Sequence, residues 1–202
     1  MKAITPDLMR VVDRKAAEEF EITGEALMGR AGAGVGEVVM NLADHCGWTE
    51  PFVQLIAGRG NNGGDAFVAA HFLADAEVEV EVLLAGSIRE IRGDALCHLS
   101  KMRSAGVVIR ELPTQQDWEN ALATEDRADI LVDGVLGIGS KGPPRGPAGG
   151  AVHFINARSA ESWVVSIDVP SGLNAGTGEA EGETVKADVT ATIGLPKIGL
   201  LN

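Results

Sequence analysis

Apolar residues along this chain recur with two periods, and each change of period marks a new element. Leu8, Val11, Val12, Ala16 and Phe20 share one helical face and predict a helix running to about Phe20. Thr5-Pro6-Asp7 supplies its start: a cap hydroxyl, a proline at the first helical position and an acid in the first turn. A second helix follows Thr23-Gly24, runs through Ala26, Leu27 and Met28 to Leu42, and stops near Gly47. Glycine in mid-helix costs up to about 1 kcal/mol relative to alanine. Its segment Ala31-Gly32-Ala33-Gly34 therefore has either a packing reason or a binding reason.

From Phe52 the period shortens. Phe52 to Ala70 reads FVQLIAGRGNNGGDAFVAA, an apolar run, a polar glycine-rich break and a second apolar run, which predicts strand, tight loop and helix. There follow a strand Val78–Leu84, a helix Glu90–Ser104 ended by Gly106, a strand Val107–Ile109 and a short helix near Trp118–Ala123. A strand Ile130–Val132, a helix Ala151–Ala160 and strands Trp163–Ile167 and Val189–Ile193 complete the series. Alternating strands and helices predict an α/β chain with a parallel sheet covered on both faces. Its ligand belongs beyond the carboxyl ends of the strands.

Composition narrows the choice. A hydrophobic fraction of 45% with only 4% aromatics implies a core of Ala, Val, Leu and Ile, as buried parallel strands require. At 202 residues without a Pro/Ser-rich linker, one domain is expected. A net charge of −12 repels nucleic acid and anionic membrane, so neither is expected as a partner. Cys46 and Cys97 fit no C-x-x-C pattern and read as buried free thiols in a reducing cytoplasm. The four histidines show no metal-ligand spacing, and neither a signal peptide nor a membrane-spanning apolar run is apparent.

Three polar clusters fall at predicted strand ends. The first is Asn61-Asn62-Gly63-Gly64-Asp65, where Gly58, Gly60 and Gly63 satisfy G-x-G-x-x-G and are expected to allow positive φ and close approach of a ligand. Free amides at the next helix start suit phosphate or carboxylate. A nicotinamide-dependent oxidoreductase also needs an acid after the second strand, and Ala85-Gly86-Ser87 supplies none; Glu77, Glu79 and Glu81 precede that point and are read as facing solvent or a helix end. The second cluster is Asp133 with the loop Gly137–Gly146, whose Lys141 and Arg145 either meet phosphate or are simply solvated. The third is Asp168-Val169-Pro170-Ser171-Gly172. Asp133 and Asp168 end apolar strands, where partial burial tunes a carboxyl for proton transfer or where it caps a loop.

GRGNNGGD, VDGVLGIGSKG and SIDVPSGLNAGTG, in this order after two helices, with LMGRAG near Met28 and GLPKIGLL at the end, resemble the NAD(P)HX epimerase family, also called the YjeF N-terminal domain. The resemblance covers nearly the whole chain. It implies a Rossmann-like three-layer α/β/α sandwich with a mostly parallel central sheet and an N-terminal helical pair. It also implies a homodimer that interconverts the R and S forms of hydrated NADH and NADPH, so that a fused or separate ADP-dependent dehydratase can restore the cofactor. Substrate contacts carry over to Asn61, Asn62, Gly63, Gly64 and Asp65, to Gly137, Ile138, Gly139, Ser140, Lys141, Gly142 and Pro143, and to Asp168. A potassium ion carries over to Asn62, Asp133 and Ser171, whose amide, carboxylate and hydroxyl oxygens suit a hard cation.

Ala66 stands where the family usually has glycine, and Ile138 replaces a commoner threonine. Residues 1–202 are expected to form one such domain, truncated at its C-terminus. Asp168 is the candidate acid/base: Pro170 stiffens its motif, and Asp168→Asn is expected to remove activity while leaving the fold intact. Two alternatives stay open, a non-catalytic nucleotide-binding or dimerisation module on the same scaffold, and the N-terminal half of a bifunctional epimerase and dehydratase.

Overall fold

The computed structural model describes residues 2–124 and 127–202. Its helices are α1 (Pro6–Phe20), α2 (Gly24–Cys46), α3 (Asn61–Asp75), α4 (Gly93–Ser104), α5 (Gln115–Thr124) and α6 (Pro147–Arg158). Its strands are β1 (Phe52–Ala57), β2 (Glu79–Leu84), β3 (Val108–Glu111), β4 (Ile130–Gly134), β5 (Trp163–Ile167) and β6 (Val189–Ala191). Among the described residues the sheet is parallel throughout, in the order β3-β2-β1-β4-β5-β6. The chain thus reverses its direction of growth between β1 and β4, where Ala57 lies opposite Gly134. A crevice at the carboxyl ends of the strands opens at such a point.

Alternate residues of each central strand feed two cores. Val53, Leu55, Val82, Leu84, Val132 and Ile167 pack under α2, α3 and α4, while Ile56, Leu83, Leu131 and Val164 pack under α5 and α6. Full burial on both faces explains why these strands read as continuous apolar runs. Gly32 and Gly36 of α2 have packing reasons: a Cβ on Gly32 would strike Val68 and the Asp65 carbonyl, and one on Gly36 the Phe72 ring, so the two glycines bring α2 tightly onto α3. Gly34 meets nothing within 4 Å and faces open space.

Several expectations need correction. The apolar stripe of α1 stays largely in solvent: Phe20 is 70% exposed, Leu8 and Val12 are also exposed, and only Met9 of this helix is buried. Together with α2 and residues 190–194 it borders an apolar groove of about 660 Å³ beside the short strand β6. The helix predicted over Glu90–Ser104 is broken, because Ile88–Glu90 forms a 3-10 turn and Gly93 adopts a left-handed φ of 58° before α4 begins. α6 starts at Pro147, four residues before Ala151. Cys97 is exposed and Cys46 half-buried, and both are free thiols. Glu81 is half-buried, accepting a hydrogen bond from Gln54 and pairing with Arg110.

The first and last segments of the chain meet. Ile4 bridges to Lys197 in parallel, with Ile4 N–H donating to the Pro196 carbonyl at 2.9 Å and Ile198 N–H to the Ile4 carbonyl at 3.1 Å. Among the described residues no helix is long and apolar enough to cross a membrane.

Candidate functional site

The glycine loop after β1 is shaped by contact, and its expected positive φ angles are absent. A Cβ on Gly58 would collide with the Val135 carbonyl, one on Gly63 with the Gly58 carbonyl, and one on Gly64 with the Met28 sulfur. Close approach of three backbone segments therefore requires these glycines. Gly60 caps α3 without a side-chain bond, which leaves the first amides of that helix free to face the crevice. Asn61 stands exposed at this helix start, and Asn62 turns inward.

Asn62 and Asp133 tie the strand ends together. Asn62 Nδ2 donates to the carbonyls of Leu136 and Ile167, each at 2.9 Å, while its Oδ1 lies where a Cβ on Gly137 would be. Asp133, 0% exposed, accepts from Ser166 Oγ at 2.8 Å, Ser171 N at 2.8 Å, Ser171 Oγ at 2.5 Å and Val135 N at 3.2 Å. Burial pushes its carboxyl up, against four donors that favour the ionised form. Its capping role is thus real: it pins β5 and the Ser171 turn to β4. Asn62, Asp133 and Ser171 do come together, joined through Leu136, whose carbonyl accepts from Asn62 and whose N–H donates to Ser171 Oγ at 2.8 Å. Carboxylate, amide and hydroxyl oxygens in one cluster fit a hard monovalent cation in chemistry.

Asp168 ends β5 in a left-handed conformation, φ 68°, and is only 5% exposed. It accepts from Ile193 N–H at 3.1 Å and from the Lys197 ammonium, which also donates to the Ile193 carbonyl at 2.6 Å. Lys197 is 0% exposed. Sequence reasoning missed it, although a lysine between Pro196 and Ile198 in an otherwise apolar run was a signal, since a buried lysine needs a partner. Asp168 and Lys197 floor a cleft of about 200 Å³ that Asn61, Asn62 and Asp65 line from α3, Leu27 and Met28 from α2, and Ile138 from the loop after β4. Asp13 of α1 and Asp94 of α4, both exposed, stand at its rim. Asp65 is 6% exposed. Burial first, then the Asp168 and Asp13 carboxylates, push its carboxyl well above the usual range, against the pull of Lys197.

The loop Gly137–Pro143 divides. Gly137 packs on Asn62 and Ile138 reaches the cleft, whereas Ser140, Lys141 and Gly142 border a separate depression with Asn174 and Glu181. Arg145 lies in another cleft, with Trp118 and His153 beside the start of α6, so neither cation of this loop lines the Asp168 cleft. Gly139 is exposed and Pro143 packs against Gly182. Ala85-Gly86-Ser87 at the end of β2 holds no acid, yet the fold brings two there, Glu90 from the turn that follows and Glu111 from β3. Glu111 of β3 accepts from Ser87 Oγ and from Ile88 N–H, and Glu90 accepts from Ser87 N–H while pairing with Arg59 of the glycine loop at 2.6 Å. Hydrogen bonds from Ser87 hold both carboxyls below their ordinary range.

An open parallel sheet of this strand order, with a polar cleft where the order reverses, defines the doubly wound α/β class of ligand-binding proteins. Within that class the chain belongs to the family described as YjeF-related protein N-terminus, which matches residues 24–199. It is 37% identical over 196 residues to the NAD(P)H-hydrate epimerase of Rhodopirellula baltica, covering 97% of this chain and 76% of that relative. The bifunctional NAD(P)H-hydrate repair enzyme Nnr of Thermofilum pendens is 32% identical over the whole of this chain, which spans only 37% of that longer protein. The crystal structure of yeast ynu0 superposes with a TM-score of 0.86 at 25% identity, covering 100% of this chain and 84% of that one.

Proposed function

We propose that this protein is an NAD(P)H-hydrate epimerase, interconverting the R and S forms of hydrated NADH and NADPH for repair of the nicotinamide nucleotides. The observation that carries the reading is the Asp168–Lys197 pair, which opens onto a cleft shared with Asn61, Asn62 and Asp65 at the sheet's switch point. The name of the Rhodopirellula relative supports it. Asn61 to Asp65 hold the substrate at the start of α3, Gly137 and Ile138 flank it, and Asp168 transfers protons at the hydrated ring. Asn62, Asp133 and Ser171 hold a potassium ion, which supplies positive charge beside the start of α3. The test offers an epimer mixture of hydrated NADH together with a dehydratase that consumes one epimer. Complete consumption is expected, and a stop partway refutes the activity.

The rival reading, a non-catalytic module on the same scaffold, is disfavoured because the asparagines and aspartates of the cleft are all retained. The bifunctional relatives support a dehydratase as the partner in sequence, fused or separate. Arg59 offsets the charge of Glu90 at the end of β2, and both hydrated NADH and hydrated NADPH are accepted. Free Cys46 and Cys97 fit a reducing cytoplasm. The exposed apolar stripe of α1 supports a homodimer through that helix. Light scattering is expected to give twice the chain mass for the wild type and the chain mass for Phe20→Glu; an unchanged dimer in the variant removes α1 from the interface.

A further inference from the structure

The floor of the cleft carries two buried carboxyls, Asp65 and Asp168, and one buried ammonium, Lys197. Lys197 is committed: its donors go to Asp168 and to the Ile193 carbonyl. Asp168 receives a second donor from Ile193 N–H. No donor among the described residues bonds Asp65, whose charged neighbours are the acids Asp168 and Asp13 and, opposing them, the Lys197 ammonium. Among the described residues the other charged side chains lining the cleft, Asp13 from α1 and Asp94 from α4, are acidic as well, α2 presents Gly24, Leu27, Met28 and Ala31, and the Arg10 guanidinium of α1 donates to the Ile138 carbonyl at 3.1 Å. Two carboxyls near one cation cannot both ionise cheaply, and the one without donors keeps its proton. The asymmetry divides acid from base.

Resting on the epimerase reading, we propose that Asp65 is the proton donor of the reaction and that inversion proceeds by loss and return of water through a planar cation. The hydroxylated ring carbon is bonded to the ring nitrogen. Asp65 gives its proton to the hydroxyl oxygen, the carbon–oxygen bond breaks with its electron pair on oxygen, and water departs. The nitrogen lone pair forms the carbon–nitrogen double bond of an iminium ion. A second water adds its oxygen lone pair to the opposite face and yields a proton to Asp168. Asp65 is left ionised and Asp168 protonated; the reverse turnover, or exchange with solvent, restores both. An acid-lined, ammonium-poor cleft stabilises the cation and opposes the alkoxide that ring opening would need. Lys197 is a positioning residue, fixing the Asp168 carboxyl against the Ile193 carbonyl.

Epimerisation in ¹⁸O-water tests the route. Each inversion is expected to install one solvent oxygen, after subtraction of the spontaneous reaction. Inversion with the original oxygen retained overturns the proposal while leaving the epimerase reading standing, whereas absence of any inversion overturns both. Asp65→Asn is expected to lose about 10²–10⁴-fold in rate; a rate within threefold of wild type overturns the donor role. Because the folded state raises the Asp65 pKa, the stability this group contributes is complete at acid pH and is lost as pH rises through the folded value. Asp65→Asn removes that loss, so its melting temperature at pH 8 is expected to equal or exceed wild type, which separates the rate effect from misfolding. In the wild type the rate should fall as pH climbs through the Asp65 titration. A variant that keeps the same falling limb assigns the limb, and the proton, to another group.

Discussion

Asp168→Asn is expected to abolish most epimerisation, by about 10²–10⁴-fold, and to lower the stability of the protein at the same time. The amide fits the left-handed backbone at this position, where asparagine is among the tolerated residues. It cannot, however, balance the Lys197 ammonium, which is fully buried. Breaking a buried pair by removing one charge costs about 3–5 kcal/mol. At about 2–4 °C per kcal/mol for a domain of this size, the melting temperature should fall by roughly 6–20 °C. The sequence-based expectation that this variant leaves the fold untouched is therefore revised, because Lys197 was not foreseen. Asp168→Asn combined with Lys197→Met should recover most of the stability and none of the activity. If the double variant regains activity, neither group serves proton transfer; if Asp168→Asn alone melts as wild type does, the ion pair contributes nothing to the fold.

The second large effect is expected at Asp133. Its two oxygens accept from Val135, Ser166 and twice from Ser171, and Asp133→Ala strands all four donors in a dry site. At about 1–3 kcal/mol for each buried group left unpaired, the loss approaches the whole stability of an ordinary domain, which is about 5–15 kcal/mol. The variant should be largely unfolded or aggregated by circular dichroism. Ser166→Ala, which removes one bond, should stay folded and lose about 1 kcal/mol. Potassium binding can be read in the same melts: if Asn62, Asp133 and Ser171 hold the ion, potassium raises the melting temperature of the wild type more than sodium does. Equal responses to the two salts in the wild type, or an undiminished potassium response in Ser171→Ala, would remove the site from these residues.

Much of this arrangement is legible one element at a time. The central strands β4 and β5 show because burial on both faces leaves them largely apolar, and Asn61, Asn62, Asp133 and Asp168 show because each sits where an apolar run stops. What local pattern does not carry is convergence. Lys197 lies 29 positions from Asp168 and enters through a segment with too little regular structure to have a period. Glu111 reaches the end of β2 from a neighbouring strand, so reading Ala85-Gly86-Ser87 onward from β2 does not find it. The stripe on α1 has the spacing of a buried face, and spacing alone does not say what, if anything, covers it. The sequence of Gly58 and Gly63 suggests a conformational reason where the structure has a steric one, a distinction that depends on Val135 arriving from the end of β4.

The bridge between Ile4 and Lys197 has a consequence in time. These residues are separated by nearly the whole chain, so during synthesis every strand of the sheet is laid down before Lys197 exists. Until that late contact closes, Asp168 stands at the end of β5 as a hydrated carboxylate with no cation beside it, and the cleft has no floor. A nascent or partly opened chain can thus possess a complete sheet while Asp168 still lacks the Lys197 ammonium. Contacts of such long range also form slowly, since the entropy of closing the loop must be overcome before the contact gives anything back. The pair of Asp168 and Lys197 closes only after the sheet is laid down, in the same event that joins Ile4 to Lys197.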